Sequence, residues 1–164
     1  MKNKRRTLAH SFRDAFRGVW ECLRRERNMR VHCCAAGFVL FFGFRVGLSR
    51  GEMALLCGTI GAVTAMETMN TAVEKLCDFT ERRQNPHIRL VKDLAAGAVV
   101  LTALGAVGVG LFLFLREETW KTLAELITQP VSCVLLVLAV LAALGFIVLG
   151  PRGIRELFRR EQKQ

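Results

Sequence analysis

The sequence predicts an all-α, polytopic membrane protein, and three observations carry that expectation. Hydrophobic residues make up 52% of the 164 residues while the formal net charge is +10. Two runs, 94–115 and 131–149, contain no charged residue, and each is long enough to cross a hydrocarbon core about 30 Å thick. Basic residues alternate between dense and sparse segments, the distribution expected when Lys and Arg stay on one side of a bilayer. A basic chain could instead bind nucleic acid. Here the basic residues stand beside long apolar runs without interleaved aromatics, so no nucleic-acid partner is expected. Six cysteines, Cys22, Cys33, Cys34, Cys57, Cys77 and Cys133, form no C-x-x-C pair and read as small buried hydrophobes rather than disulfides or a zinc site. The basic first thirty residues lack the uninterrupted apolar run of a cleavable signal.

Taken in order, residues 7–24 place Leu8, Phe12, Phe16, Val19, Trp20 and Leu23 three or four apart among arginines, the pattern of an amphipathic helix lying in the membrane interface. A first span is expected over 31–48, with His32 and Arg45 near its ends, and a second from Met53 to about Cys77. The third, 94–115, is rich in Gly and Ala, which lets helices approach closely. A fourth, 131–149, precedes a basic tail. Lys plus Arg number ten in the first thirty residues, then two at Arg45 and Arg50, five over 75–92, two over 116–129 and five after Gly150. That alternation predicts four spans with both termini in the cytoplasm.

The second span carries the chemistry. Glu67 lies in an apolar helix, where an ionisable group is costly and therefore marks a functional site by default. At 100° per residue Glu74 and Asp78 fall within about 20° of it and Asn70 roughly 60° to one side, a polar stripe roughly 16 Å long. With Glu26 and Asp93, and with Lys92, Arg82, Arg83 and Arg89 nearby, these acids gather at the cytoplasmic face. Carboxylates matched with cations suit a magnesium-bound polyphosphate. No G-x-x-x-x-G-K-[ST] loop and no H-R-D or D-F-G set occurs, so a P-loop or protein-kinase fold is excluded. Glu67, the acid most embedded in apolar sequence, suits a general base for a membrane alcohol, and Glu74 is better placed for metal. Glu67 equally suits a transporter or proton pathway, and Glu74 and Asp78 could cap a solvated helix end against Lys75 and Arg82. From spacing alone, catalysis and transport stand level.

The segment from Met66 to Asp78 (METMNTAVEKLCD), followed fourteen residues later by Lys92-Asp93-Leu94-Ala95-Ala96-Gly97-Ala98-Val99, closely resembles the signature of the bacterial integral membrane lipid kinases, the prokaryotic diacylglycerol kinase and undecaprenol kinase family. Ser11-Phe12, Ala15-Phe16, Gly18 and the run Glu26-Arg27-Asn28-Met29-Arg30-Val31-His32 also resemble it, particularly the Gram-positive undecaprenol kinase branch. The resemblance covers roughly residues 8–115. It implies a homotrimer in the bacterial cell membrane, with three transmembrane helices and an amphipathic surface helix per subunit and active sites between subunits at the cytoplasmic interface. It implies that Glu67 takes the proton from the lipid hydroxyl as that hydroxyl attacks the γ-phosphate of ATP, that Glu26 and Glu74 bind Mg2+, and that Glu26, Asn70, Glu74, Asp78, Lys92 and Asp93 contact nucleotide. Arg30 joins Glu67 as an expected lipid contact.

Undecaprenol is the expected substrate and diacylglycerol the alternative; a transporter or inactive scaffold is the alternative of another class. The family usually carries a Glu-Tyr-His run before its third span, whereas Arg83, Gln84 and Asn85 stand at those positions here. The chain divides into a lipid kinase domain, 1–115, and an extension, 116–164, with the fourth span and the basic tail. A three-helix member would leave its C-terminus outside; the charge count returns this one to the cytoplasm.

Overall fold

The computed structural model describes residues 7–80 and 85–161, with side chains as far as residue 154, and every regular element among them is helical. Six helices follow in order: α1 (Leu8–Arg25), α2 (Arg27–Val46), α3 (Arg50–Thr80), α4 (Pro86–Phe114), α5 (Glu117–Thr128) and α6 (Pro130–Glu161). The boundaries follow local chemistry. α2 ends at Gly47, whose left-handed backbone (φ 76°) lets Leu48 N–H donate to the Gly43 carbonyl at 3.0 Å. α3 opens on a reciprocal cap: Ser49 N–H donates to Glu52 Oε2 at 2.7 Å and Glu52 N–H to Ser49 Oγ at 3.3 Å. α4 opens with Pro86 in its first turn and with the Asn85 side chain accepting from His87 N–H at 2.9 Å.

Three helices are long and apolar enough to cross a membrane: Arg27–Val46, Pro86–Phe114 and Pro130–Ile154. None of the most apolar window of the last is buried inside the protein, so its apolar surface is left to lipid. α3, expected to span over 53–77, is not among the three. It is as long as the others, but Glu67 and Asn70 interrupt its apolar sequence and are themselves buried in protein. It packs along α4 and α2.

Side-chain contacts fix the antiparallel order. Asp78 near the end of α3 accepts from Lys92 near the start of α4 at 2.5 Å, and Arg116 after α4 pairs with Glu52 at the start of α3. Arg30 near the start of α2 donates to the Ile147 carbonyl near the end of the straight part of α6 at 3.0 Å. The starts of α2 and α4 and the far ends of α3 and α6 thus share one face of the bundle.

α1 leaves Leu8, Phe12, Phe16 and Trp20 exposed along one side, with Arg13 and Arg17 beside them, as an interfacial helix requires. Three features differ from the sequence reading. The connection over 75–92 is mostly helix, leaving only 81–85 between α3 and α4. The stretch 116–129 forms α5, which buries Thr122 and Leu126 against its neighbours. α6 continues beyond 149 after a break at Gly150 (φ 63°, ψ 176°) and Pro151.

Candidate active site

The site grows from the polar stripe of α3 and from the single residue between α1 and α2. Glu67 is 2% exposed, the most buried charged side chain described, and its Oε2 has no hydrogen-bond partner. Asn70, one turn on, is also buried. Its Nδ2 donates to Glu74 Oε1 at 3.3 Å while its Oδ1 has no partner. Buried polar atoms are nearly always paired, so two unpaired acceptors side by side on one helix face mark where a ligand's donors fit.

Glu26 is the residue that brings α1 and α2 to this face. Its extended backbone (φ −95°, ψ 124°) is at once the C-cap of α1 and the N-cap of α2, which turns the chain from the interface into the membrane. Its carboxylate is 3.8 Å from Lys75 Nζ, and together with Glu74 it lies within electrostatic reach of Glu67. Beneath them, Cys22 on α1 meets Thr71 Oγ1 at 3.3 Å, and that hydroxyl donates to the Glu67 carbonyl at 3.0 Å. This contact fastens the end of α1 to α3.

Four of the sequence-predicted residues, Glu26, Glu67, Asn70 and Glu74, therefore come together. Asp78 and Lys92 pair with each other at the rim, where the ammonium holds the Asp78 carboxyl below its ordinary value. Asp93 is exposed and lies 3.9 Å from Arg89 on its own helix. Asn85 is occupied as a helix cap, and Arg82, Arg83 and Gln84 lie outside the described residues. Arg30, expected beside the lipid, donates to main-chain carbonyls of α1 and α6. Lys75, read from the sequence as a partner for Glu74 and Asp78, reaches Glu26. The signal for that was weak, since the two are 49 residues apart.

Among the described residues no group of three His, Cys, Asp or Glu is arranged to cage a metal. The pair Glu26 and Glu74 fits magnesium, which commonly takes one or two carboxylates with phosphate oxygens completing its octahedron. An apolar groove of about 370 Å³ between α2, α3 and α4, lined by His32, Val63 and Thr64 among others, ends within a turn of Glu67. A buried carboxylate with an unpaired oxygen thus lies near the end of an apolar groove and close to Glu26 and Glu74.

Comparison with known proteins gives the family. The family described as prokaryotic diacylglycerol kinase matches residues 13–114, α1 through α4. An undecaprenol kinase of Bacillus subtilis (strain 168) is 39% identical over 116 residues, which are 71% of this chain and 94% of that protein. A diacylglycerol kinase of Synechocystis sp. is 36% identical over 104 residues, 63% of this chain but only 59% of that relative's length. No solved structure matches the chain. The family match over residues 13–114, which hold Glu26, Glu67, Asn70 and Glu74, together with the likeness over nearly the full length of the Bacillus protein, places the chain in the prokaryotic diacylglycerol kinase family of membrane lipid kinases.

Proposed function

We propose that the protein transfers the γ-phosphate of ATP to undecaprenol, making undecaprenyl phosphate, at the cytoplasmic face of the bacterial membrane. One observation carries the reading. Glu67 is fully withdrawn from solvent yet keeps Oε2 unpaired, the condition of a base waiting for a substrate proton rather than of a structural charge.

The hydroxyl-bearing end of the lipid enters the apolar groove between α2, α3 and α4 and presents its hydroxyl at Glu67, while the rest of the chain stays in the bilayer. Glu67 accepts the hydroxyl proton as the lipid oxygen bonds to the γ-phosphorus and the bond from that phosphorus to the β,γ-bridging oxygen breaks, releasing ADP. Glu26 and Glu74 would hold Mg2+, which when bound supplies neutralising charge to the phosphates. Asn70 fixes Glu74 by its amide hydrogen bond, and Lys75 fixes Glu26. Lys92, Asp78 and Asp93 form the rim that meets the rest of the nucleotide. The site is completed across subunits of a homotrimer.

Undecaprenol is favoured over diacylglycerol because the relative of that specificity is matched over nearly its full length, whereas the diacylglycerol kinase is matched over little more than half. Purified protein assayed with both lipids and labelled ATP tests this. Preferential labelling of undecaprenol is expected; equal labelling of the two, or none of undecaprenol, overturns the substrate assignment. Magnesium titration of the same reaction should show an absolute requirement.

A further inference from the structure

α6 lies outside the matched segment, yet one side chain fastens it to the junction that carries Glu26. Arg30, in the first turns of α2, is 8% exposed. Its Nε donates to the Ile147 carbonyl at 3.0 Å and its Nη1 to the Arg24 carbonyl at 3.5 Å. Ile147 lies in the last turn before α6 breaks, where carbonyls lose their helical partners and a cation is favoured. Gly150 makes that break in a backbone region essentially reserved for glycine. A Cβ at Gly150 would stand 3.1 Å from Nη1 and 3.2 Å from Cζ of Arg30, so the break and the guanidinium are fitted to each other.

Arg24 belongs to the last turn of α1. A single planar fork therefore joins the end of α1 to the end of the straight part of α6, while its own backbone stands one helical turn beyond Glu26 in α2. Only Glu26 separates α1 from α2. With so short a junction, the direction in which Glu26 points depends on whatever holds the two helix ends, and Arg30 holds both.

We infer that Arg30 is a positioning residue: by bridging α1 and α6 it sets the junction that presents Glu26, and so couples the C-terminal helix to nucleotide binding. The inference rests on the reading of Glu26 as a magnesium–nucleotide ligand.

The test uses the full-length protein and separate KM values for magnesium–ATP and for lipid. Glu26→Gln should raise the nucleotide KM. Arg30→Gln should raise it by roughly tenfold and leave the lipid KM unchanged. Arg30→Lys should not restore it, because an ammonium cannot reproduce a two-carbonyl fork. Gly150→Ala, which crowds the guanidinium from α6, should raise the nucleotide KM too, yet add little in the Arg30→Gln background. Rescue by lysine, additive effects of the Arg30 and Gly150 changes, or a rise confined to the lipid KM would overturn the bridge. If Glu26→Gln raises the nucleotide KM and both Arg30→Gln and Gly150→Ala leave it alone, the bridge fails and the reading of Glu26 stands. If Glu26→Gln itself has no effect, both fall.

Discussion

α3 carries two carboxylates fifteen residues apart that are treated in opposite ways. Glu52, at its first turn, accepts from the Ser49 N–H and pairs with Arg116 beyond the end of α4. Glu67, in the buried part of the helix, keeps one oxygen without a partner. The first charge is satisfied and closes the fold: it caps its own helix and ties α3 to α4 at the face opposite the site. The second is left unsatisfied inside protein, an arrangement that stability alone disfavours. A paired carboxylate serves the fold and a buried carboxylate with an unpaired oxygen marks chemistry, and the two predict different responses to the same substitution.

The largest effect is expected at Glu67. Glu67→Gln should cost about two orders of magnitude or more in turnover, the scale of removing a general base, while the melting temperature holds or rises because a buried charge with an unpaired oxygen is gone. A lower melting temperature would make Glu67 a structural residue like Glu52. Next come the flanking acids. Glu74→Ala should weaken magnesium–ATP binding by about tenfold or more and leave lipid binding unchanged, read from the two apparent KM values. Normal nucleotide affinity, or no response to added magnesium, would remove Glu74 from the metal.

Glu52→Gln should do the reverse of Glu67→Gln, lowering the melting temperature with turnover preserved. Its carboxyl is held at about 2, chiefly by Arg116 and then by Ser49, against an ordinary value of 4.5. A group with a lowered folded-state pKa contributes stability that is fully present above its ordinary value and is lost as pH falls toward the folded one. Thermal unfolding followed from about pH 5 to about pH 2 should therefore lose a contribution in the wild type that Glu52→Gln lacks. Parallel curves would break the assignment. The smallest effect is expected at the exposed rim, where Lys92→Met in a wild-type background should change stability little, since exposed pairs contribute little, and should act mainly on nucleotide KM.

The two faces also frame a test of topology. Glu67's end of α3 shares its face with the start of α2 and the far end of α6, so a reporter fused after Gln164 should lie in the cytoplasm. A reporter inserted between α4 and α5, on Glu52's side, should lie outside. Exchange of the two would reverse the charge-based orientation.

Local features were legible and distant pairings were not. The amphipathic α1 followed from three-and-four spacing, the uncharged spans from length, and the stripe of Glu67, Asn70 and Glu74 from helical periodicity. Glu26 could not be picked from among the acids by composition; only the resemblance singled it out, because it reaches the site through the turn between α1 and α2. α5 was read as a connecting stretch, although Glu117 and Glu118 in its first turn and the apolar Leu123, Leu126 and Ile127 carry a helix signal in a short segment. The role of Arg30 depends on a carbonyl 117 residues away, and that of Glu52 on an arginine 64 residues away. No local pattern encodes such contacts, since they exist only once the helices have docked. The second span illustrates the converse: its weak hydropathy follows from the polar groups that make it the site.

The most direct measurement is the turnover of purified Glu67→Gln with undecaprenol, labelled ATP and magnesium, made beside a melting curve of the same preparation. The account predicts turnover reduced by about a hundredfold or more in a protein at least as stable as the wild type. Turnover within a few-fold of wild type, in a correctly inserted protein, would contradict it.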